Sequence, residues 1–213
     1  MNAVTKEELD ARTAGVDYFN PEDYLINILR RATANEQDLL VELDGVGEII
    51  LLSSRGEYFG FATDMATFCT VPTEQYRITI LGPDHLRMPT EKSVGRNIDE
   101  LMWQAAFHAS GGRLMEGCFR DDVVELSYWP NLTRLPLTEN TPRIVALLNR
   151  HPTSVTFAAR LLKVEMEEMY QFYSAARCAG LARAINRTPE EPKLEPHRNQ
   201  TLLSALLAKV ARL

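Results

Sequence analysis

The chain has 213 residues and a formal net charge of −6, with 45% hydrophobic and 24% charged positions. That balance suits one large or two small globular domains and excludes collagen-like, low-complexity and disulfide-scaffold chains. No run approaches the ~18 apolar residues of a membrane helix, and the polar, acidic opening MNAVTKEELDARTAG does not read as a secretory signal.

The three cysteines, Cys69, Cys118 and Cys178, are far apart and read as reduced thiols of a cytoplasmic protein. Charge is uneven along the chain. Residues 1–140 carry 12 basic and 23 acidic side chains, and residues 141–213 carry 11 basic and 6 acidic. Such asymmetry points to two modules and, in some chains, to contact with a polyanion; the simpler reading is two solvated surfaces that attract each other within one chain or a dimer.

Residues 1–19 read as a flexible lead-in. Asn20-Pro21-Glu22-Asp23 is a helix start: Asn caps, Pro fits the first helical position and the carboxylates sit at the positive end of the dipole. Tyr24, Leu25, Ile28, Leu29 and Ala32 then recur at helical spacing. DLLVEL (38–43), EIILLS (48–53) and YFGFAT (58–63) are β-prone runs joined by short glycine-containing turns, and YRITIL (76–81) alternates strictly. One helix on a small antiparallel meander buries these faces most simply. Asn97 caps a second helix carrying Leu101, Met102, Trp103 and Phe107, which Gly111-Gly112 should stop. VVELSYWP (123–130) is a further strand candidate.

The remainder reads as helical. Thr141-Pro142 opens a helix broken at His151-Pro152, Thr153 or Ser154 caps a second, and a third spans about 165–179, closed by Gly180. Three prolines and many charges make 187–200 a linker. In TLLSALLAKVARL, Leu203, Leu206, Leu207 and Val210 share one helical side, so 201–213 is expected to dock on the chain itself or a second copy.

Residues 142–185, PRIVALLNRHPTSVTFAARLLKVEMEEMYQFYSAARCAGLARAI, resemble a winged-helix or helix-turn-helix unit. ELSYWPNLTRL (125–135) followed by this unit also resembles an uncharacterised bacterial protein family, which implies a bacterial source and no chemistry. In such units the first turns of the third helix meet base edges. Here those turns carry Glu165, Glu167 and Glu168, which would face phosphate. Arg160, Lys163 and Arg177 are the candidate nucleic-acid contacts.

No P-loop and no nucleophile elbow is present. Gly45-Val46-Gly47 reads as a hairpin turn. His85, His108, His151 and His197 stand at no metal-ligand spacing; His108 could serve the carbonyls ending its helix. Arg183 and Arg187 give the RxxxR half of the PilZ motif without its glycine-containing partner, and Arg96-Asn-Ile-Asp99 is a weak RxxD. Glu116, Asp121, Asp122 and Glu125 read as a solvated acidic loop. Tyr128 and Trp129 are candidate partner contacts, since such aromatics are enriched at interface hot spots.

The expected fold is α+β. It comprises a helix and small antiparallel sheet over 20–135, a winged-helix-like tri-helical domain over 141–186, and the docking helix. The expected function is a non-enzymatic bacterial cytoplasmic adaptor or regulator working through protein contacts, as a homodimer, with no cofactor and no metal. The rivals are a DNA-binding transcriptional regulator with an N-terminal sensor, and a nucleotide- or cyclic-dinucleotide-binding module.

Overall fold

The computed structural model describes residues 13–186 other than 83 and 91, and the backbone but not the side chain of Phe61. The docking-helix residues Leu203, Leu206, Leu207 and Val210, and the linker before them, lie outside the described residues.

The protein is mixed α and β with small antiparallel sheets. Asn20 does cap the first turn, its side chain accepting from the Glu22 amide. That turn is 3-10 over Pro21–Asp23 and is followed by α1 (Leu25–Ala34). β2 (Leu39–Leu43), β3 (Gly47–Leu52) and β4 (Glu57–Ala62) form the expected meander. The chain joins a sheet earlier than expected: β1 (Tyr18–Phe19) pairs parallel with β7 (Leu114–Met115), and Phe19 is buried.

The fourth run does not extend the meander. β5 (Arg77–Ile80) returns to pair with β2, and β6 (Arg96–Asn97) pairs with β4, giving the order β5-β2-β3-β4-β6. Residues 81–95 therefore run from one edge to the other across the outer face. Arg87 pairs there with Glu48 of β3, and Arg55 donates to the Ser93 carbonyl at 2.6 Å. A short helix, α2 (Met65–Thr70), was not expected. Asp64 caps it by accepting from the Ala66 and Thr67 amides.

α3 (Ile98–Ser110) is the hub. Asn97 caps it, and Gly111, in the left-handed conformation, ends it. Ten of its 13 residues are buried, on nearly every side, which marks a helix inside a core rather than on it. Gln104 donates to the Tyr58 hydroxyl on the sheet side, and the Trp103 ring meets Phe172 edge-on, centroids 5.7 Å apart.

α4 (Thr141–Arg150), α5 (Val155–Leu162) and α6 (Met166–Cys178) follow, Ser154 capping α5 and left-handed Lys163 making the α5–α6 turn. They pack on a three-stranded antiparallel sheet in the order β10 (Ala182–Ala184), β8 (Val123–Leu126), β9 (Thr153–Ser154). β8 precedes the boundary expected at 135 and hydrogen-bonds across it. One continuous core runs from Leu39 and Val41 through Trp103 to Tyr173 and Ala182.

Candidate functional site

β8 ends at Leu126, where the Ser127 amide bonds to the Leu181 carbonyl, and the chain then turns out to Tyr128 and Trp129. These rings are 52% and 53% exposed, far more than an aromatic that only fills a core. Partial burial, and then the negative charge of Asp99, raise the Tyr128 hydroxyl above its ordinary value. Asp99 belongs to the first turn of α3.

The same turn holds a charged cluster. Arg96 and Arg134 share the carboxylate of Glu100, at 2.9 and 3.6 Å. Arg96 also lies 5.5 Å over the Tyr58 ring and donates to the Arg134 carbonyl. Two guanidiniums on one carboxylate leave a positive excess in an acidic half of the chain. An open cleft of about 570 Å³ lies here, lined by Val94, Gly95, Arg96, Thr133 and Arg134.

The carboxylates of the third helix are built into the packing. Glu168 accepts from the Asn140 amide and side chain, at 3.1 and 2.9 Å, tying α6 to the start of α4. Burial raises its carboxyl, but bonds from Thr138 and Asn140 and the nearby Arg143 outweigh burial and hold it below the ordinary value. Glu165, Glu167 and Glu168 line an open acidic cleft of about 460 Å³ with Gly112 and Gln171. Beyond that turn, Met169, Tyr170 and Phe172–Ala176 are all buried. Gln171 donates to the Phe107 carbonyl, and the Met115 amide donates to Ser174.

Arg160 and Lys163 are exposed, near the end of α5. Arg177 is half-buried in the last turn of α6, about 16 Å of helix from its start. Arg183 pairs with Glu125 at 2.6 Å.

Two expectations are corrected. The acidic loop is not uniformly solvated: Asp122 is fully buried and accepts from the Phe119 amide and the Tyr173 hydroxyl, both at 2.8 Å. Nor does His108 serve the end of α3. Arg113 does, donating to the Ser110 and Ala109 carbonyls while lying over the Phe19 and Tyr24 rings. Burial lowers His108, against a smaller opposing effect of Asp64.

None of the three cysteines forms a disulfide. Burial pushes Cys69 up to about 12, and burial also raises Cys178 against the pull of Arg30, which makes both poor nucleophiles. Among the described residues no three His, Cys, Asp or Glu side chains gather to hold a metal. None of the described helices is long and apolar enough to cross a membrane.

A local signal existed for the Asp64 cap, in Asp64-Met-Ala-Thr67. None existed for Glu168, whose partner Asn140 lies 28 residues away, whereas Arg113 stands just past the helix whose last carbonyls it serves, a signal as local as that of His108. A scan against protein-family models, a search of curated proteins and a search of solved structures each return no match.

Proposed function

We propose that this is a non-enzymatic adaptor or regulator of a bacterial cytoplasm that works through protein contacts, with Tyr128 and Trp129 at its contact surface. Residues 141–186 are then a winged-helix-like unit used for packing rather than for reading DNA. The observation that carries this is the burial of α6. A recognition helix must offer a free face to the major groove. Here α6 lies along α3, five consecutive residues of it are buried, and Glu168 in its first turn is committed to Asn140. The exposed aromatic pair Tyr128 and Trp129 offers what interface anchors need: large rings held at the surface.

The partners in this reading are a protein and a second copy of the chain. Leu203, Leu206, Leu207 and Val210 form the docking stripe of the tail, and deleting 201–213 should lower the oligomeric state or the melting temperature. The reading is tested by placing a photo-crosslinking phenylalanine analogue at Tyr128 in the native cytoplasm, beside a salt-dependent titration of duplex DNA. One discrete crosslinked protein, lost in Trp129→Ser, is expected. Nanomolar duplex binding at physiological salt, weakened by Arg160→Ala or Lys163→Ala, would replace the adaptor by the transcriptional regulator.

A further inference from the structure

β5 is an edge strand with an unusual surface. Ile78 and Ile80 lie opposite Val41 and Leu39, so they share the core face of the sheet, yet they are 45% and 63% exposed. Among the described residues no strand lies beyond β5. The opposite edge is different: β6 is two residues long and runs straight into α3.

The hydrogen-bond parity of β5 is legible. The Leu81 amide donates to the Asp38 carbonyl of the neighbouring chain segment at 2.8 Å. Successive residues of a strand alternate the side to which they aim their amide and carbonyl. Leu81, Thr79 and Arg77 therefore aim at β2, and Ile80 and Ile78 aim outward. The free edge thus presents two complete donor–acceptor pairs, each on a residue with an exposed apolar side chain.

We propose that this edge pairs with itself: two copies of the chain join β5 to β5 antiparallel about a two-fold axis at Thr79, continuing one sheet through both. Three symmetric registers satisfy the parity. Centring on Ile78 would set Ile80 against the partner's Tyr76, which is buried in its own core. Centring on Ile80 would set Ile78 against the partner's Gly82. Only the Thr79 register sets Ile78 against the partner's Ile80 and Ile80 against the partner's Ile78, so all four isoleucines form one apolar cluster on the core face. β-branched pairs of this kind are what stabilise antiparallel neighbours.

Charge agrees with that register. On the outer face, Arg77, which already pairs with Asp44 of its own chain, falls opposite the partner's uncharged Leu81, so no like charges are opposed. The contact is isologous, so it closes as a dimer rather than growing a fibre. Pairing through four-residue strands belongs with small, transient interfaces of under about 1,200 Å², so the association is concentration-dependent. The inference goes beyond the contact-surface reading and uses none of that surface's residues.

Sedimentation equilibrium of the full chain, over a micromolar-to-millimolar series, reads the association directly. A rising dimer fraction is expected. Ile80→Lys, an edge charge of the kind that blocks strand pairing, should shift the midpoint upward by about tenfold or more at unchanged melting temperature. Thr79→Cys reads the register. Non-hydrogen-bonded antiparallel pairs have Cα atoms about 4.5 Å apart, within disulfide range, so mild oxidation should yield a covalent dimer. Arg77→Cys, which faces the partner's Leu81, should not, with the oxidised wild-type chain as background. A chain that stays monomeric throughout, equal cross-linking of both cysteine variants, or dimerisation lost on deleting 201–213 but untouched by Ile80→Lys would overturn the proposal.

Discussion

At the scale of single residues, burial rather than neighbouring charge sets the notable titration. His108 is lowered below 6.5 mainly by desolvation, so its folded-state midpoint lies under that of the unfolded chain. As pH falls through 6.5, the unfolded chain takes up its proton first, and the folded state loses stability from there down to its own midpoint; above 6.5 nothing changes. Urea unfolding on either side of that value should show this loss, and His108→Gln should flatten it. An imidazole titrating at or above 6.5 by NMR would contradict the account. Asp122 gives a second residue-scale prediction. Two charge-assisted bonds end on its Oδ2, so Asp122→Ala should cost about 3 kcal/mol in denaturant unfolding. Exposed Glu116→Ala should stay within about 0.5 kcal/mol.

At the scale of elements, β4 depends on one glycine. Gly60 has φ +129°, and a Cβ there would lie 2.3 Å from the Glu48 carbonyl oxygen and 2.8 Å from the Ile49 Cα of β3. Both obstacles are backbone, so neither can rotate away. Gly60→Ala should therefore cost about 3 kcal/mol or more, visible as a large fall in melting temperature with the β4–β6 end of the sheet exchanging its amides first. The same alanine at Gly45, where nothing lies within 4 Å, carries only the strain of φ +74° and should cost less.

At the scale of the whole molecule, the two halves share one core. α3 contributes Trp103, whose ring meets Phe172 and whose Nε1 donates to the Pro136 carbonyl at 3.0 Å. β8 lies between β9 and β10 in their sheet. Unfolding by heat or urea should accordingly be one cooperative transition with coincident far-UV and tryptophan signals. A fragment ending at residue 140 should fail to fold, because α3 would lose the helix whose Phe172 packs on Trp103 and whose Gln171 bonds to the Phe107 carbonyl. Two separated transitions would show that the halves are independent.

Local chemistry was legible along much of the chain. The caps at Asn20, Asn97 and Ser154, the stop at Gly111 and the glycine-containing turn between β2 and β3 all involve groups within a few residues of each other. So were the β-prone runs, because alternation is a property of neighbours. The strand order was not: YRITIL alternates identically whether it extends a meander beside β4 or returns to β2, and only the tertiary pairing of β5 with β2 distinguishes the two. The candidate surface was half legible. Tyr128 and Trp129 stood out by type, but their exposure depends on where β8 pairs and the chain turns outward after it. Asp122, next to exposed Asp121 in the sequence, looked like its fellows until Tyr173 and the Phe119 amide closed on it. Residue type and spacing determined the elements of this protein. Burial, edges and shared cores join residues far apart in the chain, and those the tertiary structure alone decided.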